Sequence, residues 1–206
     1  EIIEKPLYKL AHSYFVKDYD CNYVIDIEGR ENFSEIEKDV ELDMKRIDAE
    51  ACYIVTPISN IYSKRDIIFN PNNYKQVSKE VWQIFEDFNN IENIESKCNL
   101  DVKLEKTTNM KLLAEINEKA FNTDDPEDPY RNLDPGYNQI YENYKGTTNK
   151  YKRDFYFIKV EEKIVGITMG VYDDRIYGIY GLAVLKEYRG KGIGTEVLKQ
   201  QLKICN

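Results

Sequence analysis

The chain has 206 residues, 42% of them hydrophobic and 13% aromatic, with 32% charged and a formal net charge of −8. That composition excludes a disordered chain and leaves room for one large domain or two small ones. Residues 1–97 carry 12 Lys and Arg against 20 Asp and Glu, whereas residues 98–206 carry 17 of each, so the acidity sits in the first half. Neither half could neutralise a phosphate backbone in bulk, so no nucleic acid is expected as a partner. No apolar run reaches the length of a membrane span, and Glu1-Ile2-Ile3-Glu4-Lys5-Pro6 is no basic, apolar leader; no membrane association and a cytoplasmic location are expected. Cys21, Cys52, Cys98 and Cys205 are scattered and His12 is the sole histidine, so neither a zinc site nor a disulfide framework is expected. A His-based triad would have to use His12, and Ala11 and Ser13 beside it form no nucleophile motif.

In chain order, Asn22–Ile27 reads as a short strand. Ser34 and Glu37 have the spacing of a capping box, and Ile36, Val40, Met44 and Ile47 repeat at helical spacing behind them. Ala51–Ile58 reads as a second strand that Pro57 places at an edge or an end. Ser78 opens a further helix whose apolar face is Val81, Ile84, Phe85, Phe88 and Ile91, with Trp82 beside it as a packing residue. Periodicity is lost over Asn89–Asn99, and a domain boundary is expected near residue 97.

Beyond it, Asp101–Thr107 alternates as a strand. Thr108 or Asn109 can cap the helix Met110–Phe121, whose Leu113, Ile116 and Ala120 face inward. The acidic loop Asn122–Pro129 leads to a tyrosine-rich helix around Tyr137–Tyr144, which Gly146 ends. Phe155–Val160 and Ile164–Tyr172 form a hairpin, and Ile176–Val184 a third strand. The last element is the helix Thr195–Ile204, with Val197, Leu198, Leu202 and Ile204 as its apolar positions.

The third strand runs through Leu185-Lys186-Glu187-Tyr188 into Arg189-Gly190-Lys191-Gly192-Ile193-Gly194, directly before that helix. Glycines let a backbone turn tightly and approach a ligand, and the amides of a helix start favour a diphosphate. Arg189 and Lys191 add positive charge there. The spacing is wrong for the G-x-x-x-x-G-K-[ST] phosphate loop. The dinucleotide fingerprint also fails, because the glycines are spaced G-x-G-x-G and an antiparallel hairpin precedes them.

The segment Leu182–Gly194 resembles motif A of the GNAT N-acetyltransferase superfamily, (Q/R)-x-x-G-x-(G/A), with Arg189, Gly192 and Gly194 in its defining places. The resemblance covers residues 98–206. It implies an α/β (α+β) fold: a mixed, mostly antiparallel GNAT-like sheet flanked by helices, here preceded by a small acidic α/β domain over 1–97 of unknown role. It implies acetyl-CoA as co-substrate and attack on the thioester by a small-molecule or peptide amine. Backbone groups of Leu182, Ala183 and Val184 would pair with the pantetheine arm. The amides of Arg189, Gly190, Lys191, Gly192, Ile193, Gly194 and Thr195 would hold the pyrophosphate. No metal is implied.

Two departures stand out. The strand Ile176–Val184 lacks the carboxylate often found there, offering only Tyr177 and Tyr180, so no catalytic residue is named. The alternative to an enzyme is therefore a non-catalytic acyl-CoA-binding or sensing protein. The family pattern also continues with further strands where this chain ends. The expectation is that the functional protein extends past Asn206, or that residues 1–97 or a second copy in a homodimer covers the strand edge.

Overall fold

The computed structural model describes residues 2–13, 15–16, 22–25, 27, 33–49, 53–54, 85, 88–121, 135–144, 146 and 151–205, with backbone alone at 33–34 and 53–54. Among these the chain divides into two units, Glu1–Trp82 and Gln83–Asn206. The described residues 85 and 88–97 fall in the second unit. A 3-10 helix at Phe88–Asn93 buries Ile91, and the Glu92 carboxylate meets Lys203 Nζ at 2.6 Å on the last helix.

In the first unit, β1 (Ile2–Glu4), β2 (Lys9–Ala11) and β3 (Tyr23–Ile25) pair antiparallel in sequence order. β4 (Tyr53–Ile54) adds parallel to β3 after the helix α1 (Phe33–Arg46). Ile36, Val40 and Met44 of α1 pack on Tyr8, Leu10 and Val24, as their spacing predicts. The helix begins at Phe33, so Ser34 lies within its first turn and not ahead of it; the Ser34 side chain lies outside the described residues. Val81, Ile84 and Trp82 also lie outside them, as do Cys21, Cys52 and the acidic loop Asp124–Asp128. Phe85 is not helical and is partly exposed, so the apolar face predicted from Ser78 to Ile91 does not run on as one helix.

A polar network ties α1 to the β1–β2 connection. The buried Asp43 carboxylate accepts from Lys5 Nζ (2.8 Å) and the Tyr8 hydroxyl (2.9 Å), and Asp39 accepts from both. Arg46 meets Asp43 from the next turn.

The second unit is a four-stranded antiparallel sheet in the order β5 (Val102–Thr107), β6 (Lys152–Val160), β7 (Lys163–Tyr172) and β8 (Tyr177–Val184). The β6–β7 turn is the residue pair Glu161-Glu162, both at positive φ. Such a backbone matches the twist of a tight hairpin and is usually supplied by glycine or asparagine, so the turn shows here mainly through the strands around it. Side-chain alternation gives the sheet two apolar faces. Phe155, Phe157, Ile167 and Ala183 meet Leu113, Ile116 and Ala120 of α2 (Met110–Phe121), with α3 (Gly136–Glu142) beside it. Asn109 caps α2 by accepting from the Leu112 amide at 3.1 Å, as the sequence anticipates. On the opposite face Val102, Ile158, Val160 and Val165 meet Ile193 and Val197 of α4 (Ile193–Ile204).

The inward face of α4 differs from its apolar positions in sequence. Ile193, Val197 and Gln201 are buried at intervals of four, whereas Leu198 and Ile204 are exposed. A polar residue takes the third inward place because the sheet beneath it is lined by tyrosine. No described helix is long and apolar enough to cross a membrane.

Candidate acyl-CoA site

The loop between β8 and α4 is built around Gly192, which sits at φ 78° as the residue before the first helical turn and provides no side-chain cap. A Cβ added there would lie 2.8 Å from the Cys98 amide nitrogen, so this glycine is required by the backbone entering β5 as well as by its own φ. Gly194 has a contrasting setting: its φ is ordinary and a Cβ would meet nothing within 4 Å. Ile193 and Val197 anchor the first turn in the core. The amides of Ile193, Gly194 and Thr195 precede the first intrahelical bond, from the Glu196 amide to the Gly192 carbonyl at 3.2 Å. An uncapped helix start with open space over Gly194 fits a diphosphate.

The two cations of the loop are placed differently from one another. Arg189 donates through Nε to the Val184 carbonyl (3.0 Å) and through Nη2 to the Ala120 carbonyl (2.5 Å). It braces the loop against the strand that precedes it and against the carboxyl end of α2, whose last carbonyls lack intrahelical donors. Lys191 is exposed, its ammonium 5.0 Å from the centre of the Tyr188 ring. Thr195 is exposed in the first turn of α4.

Leu182, Ala183 and Val184 form the end of β8, the edge strand among the described residues. Ala183 pairs with Ile167 and the Leu185 amide bonds the Val165 carbonyl, so alternation turns the backbone groups of Leu182 and Val184 to the open edge. Just before them the register slips: Ile167 faces Ala183 but Met169 faces Tyr180, leaving Gly181-Leu182 opposite Thr168. This is a β-bulge, with Gly181 at φ 56°. On the α2–α3 side the Tyr141 hydroxyl approaches it, 3.8 Å from where a Gly181 Cβ would stand.

The α4 side carries a cluster that sequence reasoning missed. Tyr177 lies across Gly170, where a Cβ would collide with its ring and hydroxyl, and it stacks on Tyr172 with ring centres 5.6 Å apart. Its hydroxyl donates to Gln201 Oε1. Asp154 accepts from the Tyr156 and Tyr172 hydroxyls, each at 3.4 Å, and pairs with Lys106 at 2.8 Å. Burial first, then the neighbouring Tyr156 and Asp154, pushes the Tyr177 hydroxyl far above the ordinary tyrosine range. It is a proton donor at neutral pH and not a base. Alternation along β6 and β8 could have placed these groups on one face; the inward turn of Gln201 has no sequence signal.

Residues 111–206 match the family model described as Acetyltransferase (GNAT) family. The matched segment lies within the second unit. No curated protein matches the chain significantly. Among solved structures, the crystal structure of a functionally unknown conserved protein from Staphylococcus epidermidis ATCC 12228 is similar at a TM-score of 0.58 and 14% identity, over 99% of this chain and 79% of that one. At that identity the likeness concerns fold alone. The GNAT match spans α2 through α4 and so contains every loop residue named above.

Proposed function

We propose that the second unit is a GNAT acetyltransferase domain, which binds acetyl-CoA and transfers its acetyl group to an amine. The observation that carries this reading is the start of α4, where Gly192 leaves the first-turn amides without a side-chain cap and Gly194 leaves space above them. Acetyl-CoA would supply the activated acyl group. Gly190 through Thr195 would hold the diphosphate by backbone donors, and Leu182 and Val184 would align the pantetheine arm as an added strand. Fixing the thioester beside the bulge reduces the entropic cost of bringing it to the amine. Calorimetry with CoA, followed by CoA release in the presence of an amine panel, tests both halves of the reading. A folded protein that ignores CoA refutes it.

One observation favours a second reading. β8 has no carboxylate, and Tyr177 holds its proton too tightly to act as a base. A protein that binds acetyl-CoA but releases no CoA with any amine would be an acyl-CoA sensor.

A further inference from the structure

We propose that Tyr141 is a catalytic residue of this domain, its hydroxyl donating a hydrogen bond to the acyl carbonyl oxygen of the bound thioester. The inference rests on the acetyl-CoA reading above and assigns a role within it.

The geometry is that of a phenol aimed at the end of a track. A pantetheine arm that starts at the helix-start amides and follows the open edge of β8 would meet the outward amide of Val184, whose carbonyl Arg189 holds, and then the backbone groups of Leu182. An arm paired there would bring its thioester beside the bulge at Gly181. There the strand has no side chain, its φ is 56°, and the group facing the vacant Cβ position is the Tyr141 hydroxyl at 3.8 Å. The ring is held in place: it meets Phe155 of β6 edge-on, ring centres 6.2 Å apart, and packs with the core formed by α2 and the sheet. A larger residue at 181 would fill the space that the acyl group needs next to that hydroxyl.

In the transfer the amine lone pair forms the new C–N bond. The C–S bond breaks with its electrons remaining on sulfur, and the amine's surplus proton passes to water. Charge gathers on the acyl oxygen between these events, so a donor fixed at that oxygen is worth most there. Tyr141 needs to lose no proton for this, only to be present and oriented.

Tyr141→Phe tests the assignment because it keeps the ring on Phe155 and removes only the hydroxyl. Tyr144→Phe is the control: the same segment, with its ring also edge-on to Phe155 at 5.0 Å. Acetyl-CoA isotope-labelled at its carbonyl carbon is bound to each protein and the carbonyl resonance recorded, alongside kcat with the best amine. Tyr141→Phe should move the bound resonance upfield, toward that of free acetyl-CoA, and lower kcat about 10²-fold with acetyl-CoA affinity kept within about twofold. Tyr144→Phe should leave all three unchanged. Unchanged resonance in bound Tyr141→Phe, or the same shift in Tyr144→Phe, overturns the assignment and leaves the acetyl-CoA reading standing. Failure of the wild-type protein to bind acetyl-CoA overturns that reading and the assignment with it.

Discussion

Gly194→Asp should strengthen the fold and weaken the ligand at once. The position is open, with no atom within 4 Å of a Cβ and no positive φ, so the side chain enters without displacing anything. It sits in the first turn of α4, where a carboxylate favours the helix by about 0.3–1 kcal/mol and replacement of glycine adds a few tenths. A diphosphate on the same amides meets that carboxylate at roughly 5 Å, where one charge pair costs about 3 kcal/mol at an effective dielectric of 20. That is a loss of about two powers of ten in Kd. Gly192→Ala should act on the fold instead, by weakening it. Its φ of 78° costs about 1–2 kcal/mol for an L-residue. The 2.8 Å approach to the Cys98 nitrogen is to backbone, which cannot rotate away, so a total of roughly 2–4 kcal/mol is expected. Denaturant unfolding and CoA calorimetry on both variants separate the two effects. A folded Gly194→Asp protein with wild-type CoA affinity would refute the diphosphate site, and a Gly192→Ala protein as stable as the parent would refute the packing.

Arg189→Ala should cost about 1.5–3 kcal/mol of stability and weaken CoA and pantetheine alike, because its guanidinium holds the carbonyls of Val184 and Ala120; a loss confined to CoA would mean a phosphate contact instead. Tyr177→Phe should destabilise the second unit by about 1–3 kcal/mol, read by urea unfolding, because Gln201 is fully buried and its Oε1 loses its donor. In the first unit, stability should fall at both pH extremes. Burial alone would raise Asp43, but hydrogen bonds from Lys5 and Tyr8 and the charges of Lys5 and Arg46 hold its carboxyl below the ordinary range. Its contribution is therefore present above about pH 4 and lost as the pH falls through the lowered folded value. Burial, then the carboxylates of Asp43 and Asp39, pushes Tyr8 far upward, and Lys5 is raised chiefly by its Asp43 hydrogen bond. Their contributions are present below about pH 10 and lost above it. Tyr8→Phe should blunt the alkaline fall in the urea midpoint of the full chain, and an unchanged alkaline limb would refute the network's role.

The sequence shows most where a periodic pattern and a local chemical signal coincide. Met110–Phe121 is legible to the residue because Asn109 caps it and Leu113, Ile116 and Ala120 mark its face. The hairpin is legible from its strands, although its turn consists of two glutamates in a backbone that glycine usually supplies. Around the site, the pattern identifies the loop but cannot rank its members. Gly192 and Gly194 look interchangeable in sequence; one touches the backbone of residues 97–98 and the other touches nothing. Arg189 reads as a phosphate ligand until the Ala120 carbonyl, 69 residues away, is found beside it. Likewise, Gln201 replaces an apolar residue on the inward face of α4 because Tyr177 lies beneath it, a pairing across 24 residues that no local rule contains. The bulge at Gly181 depends on how two strands register, and only their pairing reveals it.

The placement of Arg189 also explains how the loop can favour an anion without devoting its guanidinium to it. The carboxyl end of α2 and the amino end of α4 bring opposite partial charges toward the same loop. Arg189 joins the negative end, at the Ala120 carbonyl, and thereby offsets the one feature nearby that would repel a diphosphate. The positive end, at Gly192-Ile193-Gly194, is left to the ligand. Recognition then resides in backbone amides whose direction is set by Ile193 and Val197 in the core, and in the glycine that lets Gly192 lie on residues 97–98. Such a site tolerates side-chain change where the side chain points to solvent, as at Lys191 and Thr195. It is sensitive where a substitution alters the backbone path or adds charge over it. That ordering, with Gly192 and Arg189 acting through stability and Gly194 acting through binding, follows from the geometry of one loop.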